Sequence, residues 1–183
     1  MFERQSCANM RGMSAELRIE SATVHDVPLI LQFIKELADY EQLAHACVAT
    51  EDDLRAELFG PNPIAHTVIA YTGDEPAGFA LYFFTFSTFL ARPGLYLEDL
   101  YVKPALRQRG VGRALLAYLA RVASERGCGR MEWSVLNWNE PAIRVYRGIG
   151  AQPMDDWTVM RLTGPALIAL AATAPAAPRS SAT

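Results

Sequence analysis

The sequence predicts a mixed α/β (α+β) fold, in which a mostly antiparallel, twisted sheet is flanked by helices. Two observations lead to this prediction. Segments with apolar residues at helical spacing alternate with short β-type segments, and three consecutive strands follow the second helix with only turns between them. A chain of 183 residues is long enough for one well-buried core and short for two full domains.

The early elements carry clear start signals. Residues 17–22 predict an opening strand. Thr23, with Asp26 three places on, predicts a capping box at the start of an amphipathic helix that runs to residue 40. Thr50 precedes three acidic residues and predicts the start of a second helix, which ends at a Gly-Pro-Asn-Pro turn.

The later elements are separated by turn residues. The sequence predicts, in order, strands at 66–71 and 78–86 around a turn, a strand at 95–102, a helix at 112–126 closed by Gly127, a strand at 131–136, a helix at 139–148, a final strand at 157–162 and a short helix from Gly164. We therefore expect the early strands to pair antiparallel and the later connections to cross through helices.

The two ends of the chain lack regular patterning. We expect a flexible leader at 1–14, a single domain at 15–172 and a disordered, alanine- and proline-rich tail at 173–183. The sequence leaves open whether Met1 or Met13 is the native start.

Composition and charge argue against several classes of function. The net charge of −3 and the pI near 5.6 argue against a nucleic-acid partner. The three cysteines are widely spaced without a CxxC pair, so we expect free thiols in a reducing compartment and no metal site. The longest apolar run, ALIALAA, is too short to cross a bilayer, and the N-terminus has no apolar signal core. We expect a cytoplasmic protein without a membrane partner.

The segment LYLEDLYVKPALRQRGVG at 95–112 is the most informative part of the chain. It combines a strand, a short connector and a glycine loop, Arg107-x-x-Gly110-x-Gly112, that opens a helix. Unpaired N–H groups at a helix start, with the positive end of the helix dipole, form a cradle for a pyrophosphate. Glycines before a helix also serve as simple turns, so the loop alone is a weak signal.

The context of the loop narrows the choice of ligand. The chain has neither G-x-x-x-x-G-K-[ST] nor G-x-G-x-x-G after a strand, which argues against an NTP loop and a dinucleotide fold. Arg107, Arg109 and Arg113 could match phosphates, or could form a solvated helix start. Glu98, on the preceding strand, is a candidate base.

A second set of residues lies at 138–146, in the segment WNEPAIRVY. Asn139 is a suitable N-cap, Glu140 favours the first turn and Pro141 is tolerated early in a helix. Helix initiation alone explains all three. Tyr146 lies about two turns further on, where spacing alone makes it a core or rim aromatic.

These segments resemble the GNAT superfamily of acetyl-CoA-dependent N-acetyltransferases. The resemblance is strongest to the diamine (spermidine/spermine) and thialysine N-acetyltransferase branch. It spans about 17–165, and its motifs are LIxxFIKELADYE, YFFTFST, LYLED, the glycine loop and NWNEPAIRVY. The resemblance implies a GNAT-like sheet, with acetyl-CoA bound in a split between its central strands.

The resemblance also implies how the cofactor is held. The backbone of 100–102 should pair with the pantetheine arm, the amides of 108–113 should hold the pyrophosphate, and Tyr146 should reach the sulfur. The implied cofactor-binding residues are Leu100, Tyr101, Val102, Arg107, Gln108, Arg109, Gly110, Val111, Gly112, Arg113, Asn139, Glu140, Pro141, Ala142 and Tyr146.

The implied chemistry suits these residue types. An alkyl amine has a pKa of roughly 10, so its nucleophilic form is scarce at neutral pH. Glu98 would remove the proton, directly or through water, and Tyr146 would protonate the departing thiolate. Strict alternation turns Asp99 to the opposite face from Glu98, which favours a structural role for Asp99. As an alternative, Glu98 is only an exposed strand charge. The implied substrate-binding residues are Tyr40, Glu41, Ser87, Glu98, Glu132, Trp133 and Ser134.

The chain departs from the polyamine-specific members at 86–88. Those members carry an acidic residue where this sequence has Phe86-Ser87-Thr88. We therefore expect the acceptor to be the primary amine of a thialysine-like amino acid or a diamine. A polyamine acetyltransferase, a protein lysine acetyltransferase and a coenzyme A-binding regulatory module remain alternatives. The resemblance also implies a homodimer, with 157–162 as a possible contact strand.

Overall fold

The structure is a computed structural model that describes residues 16–175. The predicted leader at 1–14 and the part of the predicted tail at 176–183 lie outside the described residues. The five strands are β1 Leu17–Ser21, β2 His66–Thr72, β3 Glu75–Ser87, β4 Arg92–Val102 and β5 Met131–Trp133. The five α-helices are α1 Val27–Tyr40, α2 Glu51–Phe59, α3 Val111–Glu125, α4 Glu140–Gly148 and α5 Gly164–Ala171.

The strands form one open sheet in the order β1-β2-β3-β4-β5. The first four pair antiparallel with their neighbours, whereas β5 runs parallel to β4. The predicted mixed α/β class with a mostly antiparallel sheet is confirmed. The described chain divides after Val145 into two compact units, and the sheet with α1, α2 and α3 belongs to the first. The single domain at 15–172 stays a prediction.

Local hydrogen bonds explain where the early helices begin. Thr23 and Asp26 form the predicted capping box ahead of a short 3₁₀ turn, Val24–Asp26, that leads into α1. Thr50 and Asp53 form a second capping box at the start of α2. Each box satisfies N–H groups that a helix start leaves unpaired.

The core lies on both faces of the sheet in the first unit. On one face, Ile30 and Phe33 of α1 pack with Phe79 and Tyr101 in a buried cluster. On the other face, Leu100 and Val102 reach Gly112 at the start of α3, whose buried side chains include Leu115, Leu116 and Leu119. Successive residues of a strand face opposite sides, so the end of β4 is packed from both directions.

The predicted final strand at 157–162 is wrong, since residues 151–163 form no strand. The segment has β-type residues, but a strand exists only where its backbone can pair with a neighbour. Its apolar side chains are exposed: Trp157 is 71% exposed and Met160 is 88% exposed. The strand predicted at 131–136 is shorter than expected, whereas β3 and β4 are longer. None of the described helices is long and apolar enough to cross a membrane.

Candidate active site

A β-bulge in β4 lies at the two carboxylates. Leu97 is opposite Tyr82 and Asp99 is opposite Leu81, so Glu98 has no partner residue in β3. A bulge breaks the strict alternation of side chains along a strand. The prediction that alternation separates the faces of Glu98 and Asp99 therefore does not hold here. Glu98 is exposed, whereas Asp99 is more shielded.

Two neighbouring carboxylates act on the Asp99 carboxyl group at this point. Burial, together with the negative charges of Glu98 and Glu41, raises the pKa of Asp99 from 3.8 to about 6. Burial also raises the pKa of Glu41, which follows the last residue of α1. The structure thus brings the predicted residues Glu41 and Glu98 together with Asp99. Such a negative group favours a cationic amine.

The raised pKa of Asp99 has no signal in the sequence. The motif LYLED shows two adjacent acids, but their spacing gives no sign of the bulge. The bulge arises from the pairing of β3 with β4, which is not local in the sequence. A raised pKa in a shielded carboxyl group is typical of functional sites, although ion-pair networks produce it too.

One edge of β4 is open beside these carboxylates. β5 pairs with β4 only from Leu95 to Leu97 and ends at Trp133. Within the part of the chain that the structure describes, no strand pairs with that edge of β4 at 98–102. The predicted residues Leu100, Tyr101 and Val102 lie on this open stretch. Backbone groups alternate between the two sides of a strand, and those of this stretch that face the open edge could pair with an extended amide-bearing ligand such as pantetheine.

The glycine loop follows directly after this open stretch. Gln108 has φ 62° and Gly110 has φ 85°, a left-handed backbone that glycine adopts without strain. Gly110 is the residue before α3, and Arg109 and Arg113 are exposed beside it. The first N–H groups of α3 and its helix dipole could therefore bind an anion, as the sequence predicted for the segment Gln108, Arg109, Gly110, Val111, Gly112 and Arg113.

A polar and aromatic cluster joins three segments near the end of β4. The Arg107 guanidinium carbon lies 4.5 Å from the centre of the Tyr40 ring, and Arg107 Nε donates a hydrogen bond of 3.0 Å to the Val102 carbonyl. The Tyr40 hydroxyl donates to Asn139 Oδ1 at 3.1 Å, and the ring of Tyr40 lies 5.7 Å from that of Trp138.

Asn139 precedes α4 and caps its first turn, as predicted. Its Oδ1 also accepts the N–H of Ala142 at 3.4 Å, with Glu140 and Pro141 in the first turn of the helix. Tyr146 lies later in α4, at the first residue of the second unit. Its predicted role as the acid stays a prediction.

The other predicted acceptor residues are engaged within the protein. Ser87 is 4% exposed, and its hydroxyl accepts hydrogen bonds of 3.4 Å from the Leu90 N–H and from Arg130. Glu132 forms an ion pair of 2.6 Å with Arg130. The Ser134 hydroxyl lies 2.9 Å from the Tyr96 hydroxyl, and Trp133 ends β5.

The structure does not bring Ser87 to the carboxylates. Ser87 is opposite Arg92, and Glu98 lies six residues further along β4, which corresponds to roughly 20 Å along the strand. One small acceptor therefore cannot contact Ser87 and Glu98 at the same time. Among the described residues, no group of three or more His, Cys, Asp or Glu side chains is placed to hold a metal ion.

Comparisons with known proteins identify the family of the chain. The Acetyltransferase (GNAT) family model matches residues 31–151. The chain is 36% identical to the thialysine N-epsilon-acetyltransferase of Mus musculus, over 86% of this chain and 98% of that protein. It is 34% identical to an L-ornithine N5-acetyltransferase of Arabidopsis thaliana, over 84% of this chain and 87% of that protein.

A solved structure has the same fold. The integron cassette protein from the mobile metagenome of V. cholerae superposes with a TM-score of 0.72 at 27% identity, over 87% of this chain and 99% of that one. The open mixed sheet and the family match define an acyltransferase. The chain belongs to the GNAT acetyltransferase family and is an N-acetyltransferase, which confirms the resemblance seen in the sequence.

Proposed function

We propose that the protein transfers the acetyl group of acetyl-CoA to a terminal primary amine of a thialysine-like amino acid or a diamine. The observation that carries this proposal is the group of three carboxyls, Glu41, Glu98 and Asp99, beside the open edge of β4. This group attracts a small cation to the point where an extended acyl donor would lie. The names of the mouse and Arabidopsis relatives also specify a side-chain nitrogen of an amino acid.

The described residues fit acetyl-CoA as the co-substrate. The open backbone at 100–102 can pair with the pantetheine amides, and the N–H groups at 108–113 can bind the pyrophosphate. Residues 139–142 begin α4 next to Tyr40 and would lie along the same ligand. When bound, acetyl-CoA supplies the activated acetyl thioester.

Glu98 is the proposed base. It is exposed at the bulge, where it can take a proton from the ammonium form of the acceptor, directly or through one water. Tyr146 is the proposed acid and gives its phenolic proton to the sulfur of the leaving thiolate. N–H groups of the open stretch of β4 are available to the acyl oxygen.

The length of the site favours a short acceptor over a polyamine. A carboxylate within the segment 86–88, as in polyamine-specific members, would lie roughly 20 Å along β4 from Glu98. Only a long polycation would reach it. This chain has a buried serine there, whose hydroxyl holds the turn after β3. The remaining acidic group suits an acceptor with one or two charged nitrogens.

An amine screen tests the proposed function. Free thiol release from acetyl-CoA would be measured with thialysine, L-ornithine, L-lysine, putrescine, spermidine, spermine and a lysine-containing peptide. We expect kcat/KM to be highest for an amino acid or diamine. A higher value for spermine or for the peptide would show that the acceptor is a polyamine or a protein lysine instead. Tight acetyl-CoA binding without thiol release from any amine would identify a binding module.

We also propose that the protein forms a homodimer. The observation in favour is the exposed apolar segment at 151–163, with Trp157, Val159 and Met160 largely in solvent. Apolar side chains exposed in one continuous segment are typical of interaction surfaces. Sedimentation of the wild type should give a dimer mass, and Trp157→Glu with Met160→Glu should shift it to the monomer. A monomeric wild type would contradict the proposal.

A further inference from the structure

Arg107 is the first residue of the glycine loop, yet its side chain turns into the protein. It is half-buried, while its neighbours Gln108 and Arg109 are exposed. Its Nε donates to the Val102 carbonyl at 3.0 Å, and its guanidinium lies 4.5 Å from the Tyr40 ring centre and 5.8 Å from that of Tyr101. A planar guanidinium over an aromatic face is held by cation–π attraction and stacking.

Tyr40 in turn contacts the two residues that precede α4. Its hydroxyl donates to Asn139 Oδ1 at 3.1 Å, and its ring packs at 5.7 Å from Trp138. The end of β4, the last residue of α1 and the first residues before α4 therefore meet through Arg107 and Tyr40. The proposed function assigns the acyl donor to the end of β4 and to residues 139–142, and the acceptor to a group that includes Glu41, the residue after Tyr40.

We propose that Arg107 is a positioning residue. Its side chain holds Tyr40, on the acceptor side of the site, against Val102 at the end of β4, on the donor side. This inference rests on the proposed function for the meaning of the two sides. The Nε of Arg107 is used by the Val102 carbonyl and its guanidinium lies against two rings, so these contacts direct the side chain into the protein. The positive charge for the pyrophosphate comes instead from Arg109, Arg113 and the N–H groups of the loop.

The two possible roles of Arg107 differ in one measurable ratio. If Arg107 bound a phosphate, it would raise the affinity for acetyl-CoA over that for S-acetylpantetheine, which has no phosphate. Removal of its side chain would then lower the ratio of the affinity for acetyl-CoA to the affinity for S-acetylpantetheine. A positioning residue acts on the acceptor through Tyr40, so its loss should leave the ratio unchanged and should raise KM for the amine or lower kcat.

The experiment compares Arg107→Ala, Arg107→Lys, Tyr40→Leu and the double variant Arg107→Ala/Tyr40→Leu. Calorimetry gives the affinities for acetyl-CoA and S-acetylpantetheine, and thiol release gives kcat and KM for the amine. The control is Arg121→Ala, because Arg121 stacks on Tyr118 at 5.0 Å in α3, away from the site. Arg107→Gln serves if Arg107→Ala does not fold.

We expect Arg107→Ala to lower kcat/KM for the amine about tenfold, the size expected of a lost cation–π contact with its hydrogen bond. The double variant should be no worse than Tyr40→Leu alone, because the two residues act as one unit. Arg107→Lys should recover only part of the loss, and the affinity ratio should stay within about twofold of wild type.

A tenfold fall in the affinity ratio, or strictly additive losses in the double variant, would overturn the proposal. An inactive wild type would refute the proposed function and not this inference. In that case the coupling of Arg107 to Tyr40 is read from the unfolding midpoints of the same four variants. Non-additive midpoints with an unchanged ratio support the proposal, and additive midpoints refute it.

Discussion

Glu98 and Asp99 are consecutive in β4, but only Asp99 has a partner residue in β3, since the bulge leaves Glu98 unpaired. The two acids consequently have different surroundings. Glu98 is exposed, and Asp99 is shielded enough for its pKa to rise to about 6. Two adjacent residues of the same charge thus provide one accessible carboxylate and one that is easily protonated.

The role of Glu98 as base predicts a pH-dependent effect of Glu98→Gln. At pH 7 the substitution should lower kcat on the order of 100-fold, the contribution typical of general base catalysis. The loss should shrink towards pH 9.5, because a larger share of an alkyl amine with a pKa of roughly 10 is then already deprotonated. The pH profile of kcat checks this, with Glu125→Gln on α3 as the control. An equal loss at every pH would contradict it.

The environment of Asp99 predicts that Asp99→Asn changes the pH dependence of stability. The pKa of Asp99 is raised from 3.8 in the unfolded chain to about 6 in the folded one, so the folded state binds the proton more tightly. The contribution of Asp99 to the free energy of unfolding of the wild type therefore falls as the pH rises from 4 through 6.

The measurement for Asp99→Asn is urea unfolding from pH 4 to pH 8. Relative to wild type, the free energy of unfolding of the variant should rise across this range, on the order of 2 kcal/mol. The difference between variant and wild type removes the contributions of the other titrating groups. A difference that stays flat with pH would show that Asp99 titrates normally.

The proposed acid predicts a selective effect of Tyr146→Phe. Removal of the phenolic proton should lower kcat roughly 10- to 100-fold. The ring remains, so the dissociation constant of coenzyme A should not change. Steady-state kinetics and calorimetry separate the two quantities, and Tyr118→Phe on α3 is the control. Full activity of Tyr146→Phe would remove this residue from the mechanism.

The close approach of β3 to β4 predicts a severe effect of Gly78→Ala. A Cβ at Gly78 would overlap the Tyr101 carbonyl oxygen and would lie 3.0 Å from Val102 Cα. The strands would have to separate beside the stretch assigned to pantetheine, at a cost of about 3 kcal/mol. Urea unfolding measures this. Gly148→Ala in α4, where a Cβ meets nothing within 4 Å, should be tolerated. Equal stability of the two variants would refute the argument.

The parts of the fold that depend on residues close together in the sequence could be predicted. The capping boxes at Thr23 and Thr50 form within four residues, so the sequence shows them directly. The strand at 157–162 was predicted wrongly, because residue type indicates β propensity but not whether a partner strand is present.

The site shows the same division between local and distant contacts. The glycine loop and Glu98 could be found from the motif, since both lie within one segment. The bulge beside Asp99 and the stacking of Arg107 on Tyr40 depend on strand register and on segments far apart in the chain. No spacing rule predicts such contacts.

An unpaired strand edge is a template on which another polypeptide can form hydrogen bonds. The open stretch at 98–102 is such an edge, on β4 beyond the point where β5 ends. A coenzyme A molecule paired there would act as a small-molecule strand that completes the sheet. Its supply would then govern solubility as well as turnover, and coenzyme A added during refolding should suppress aggregation.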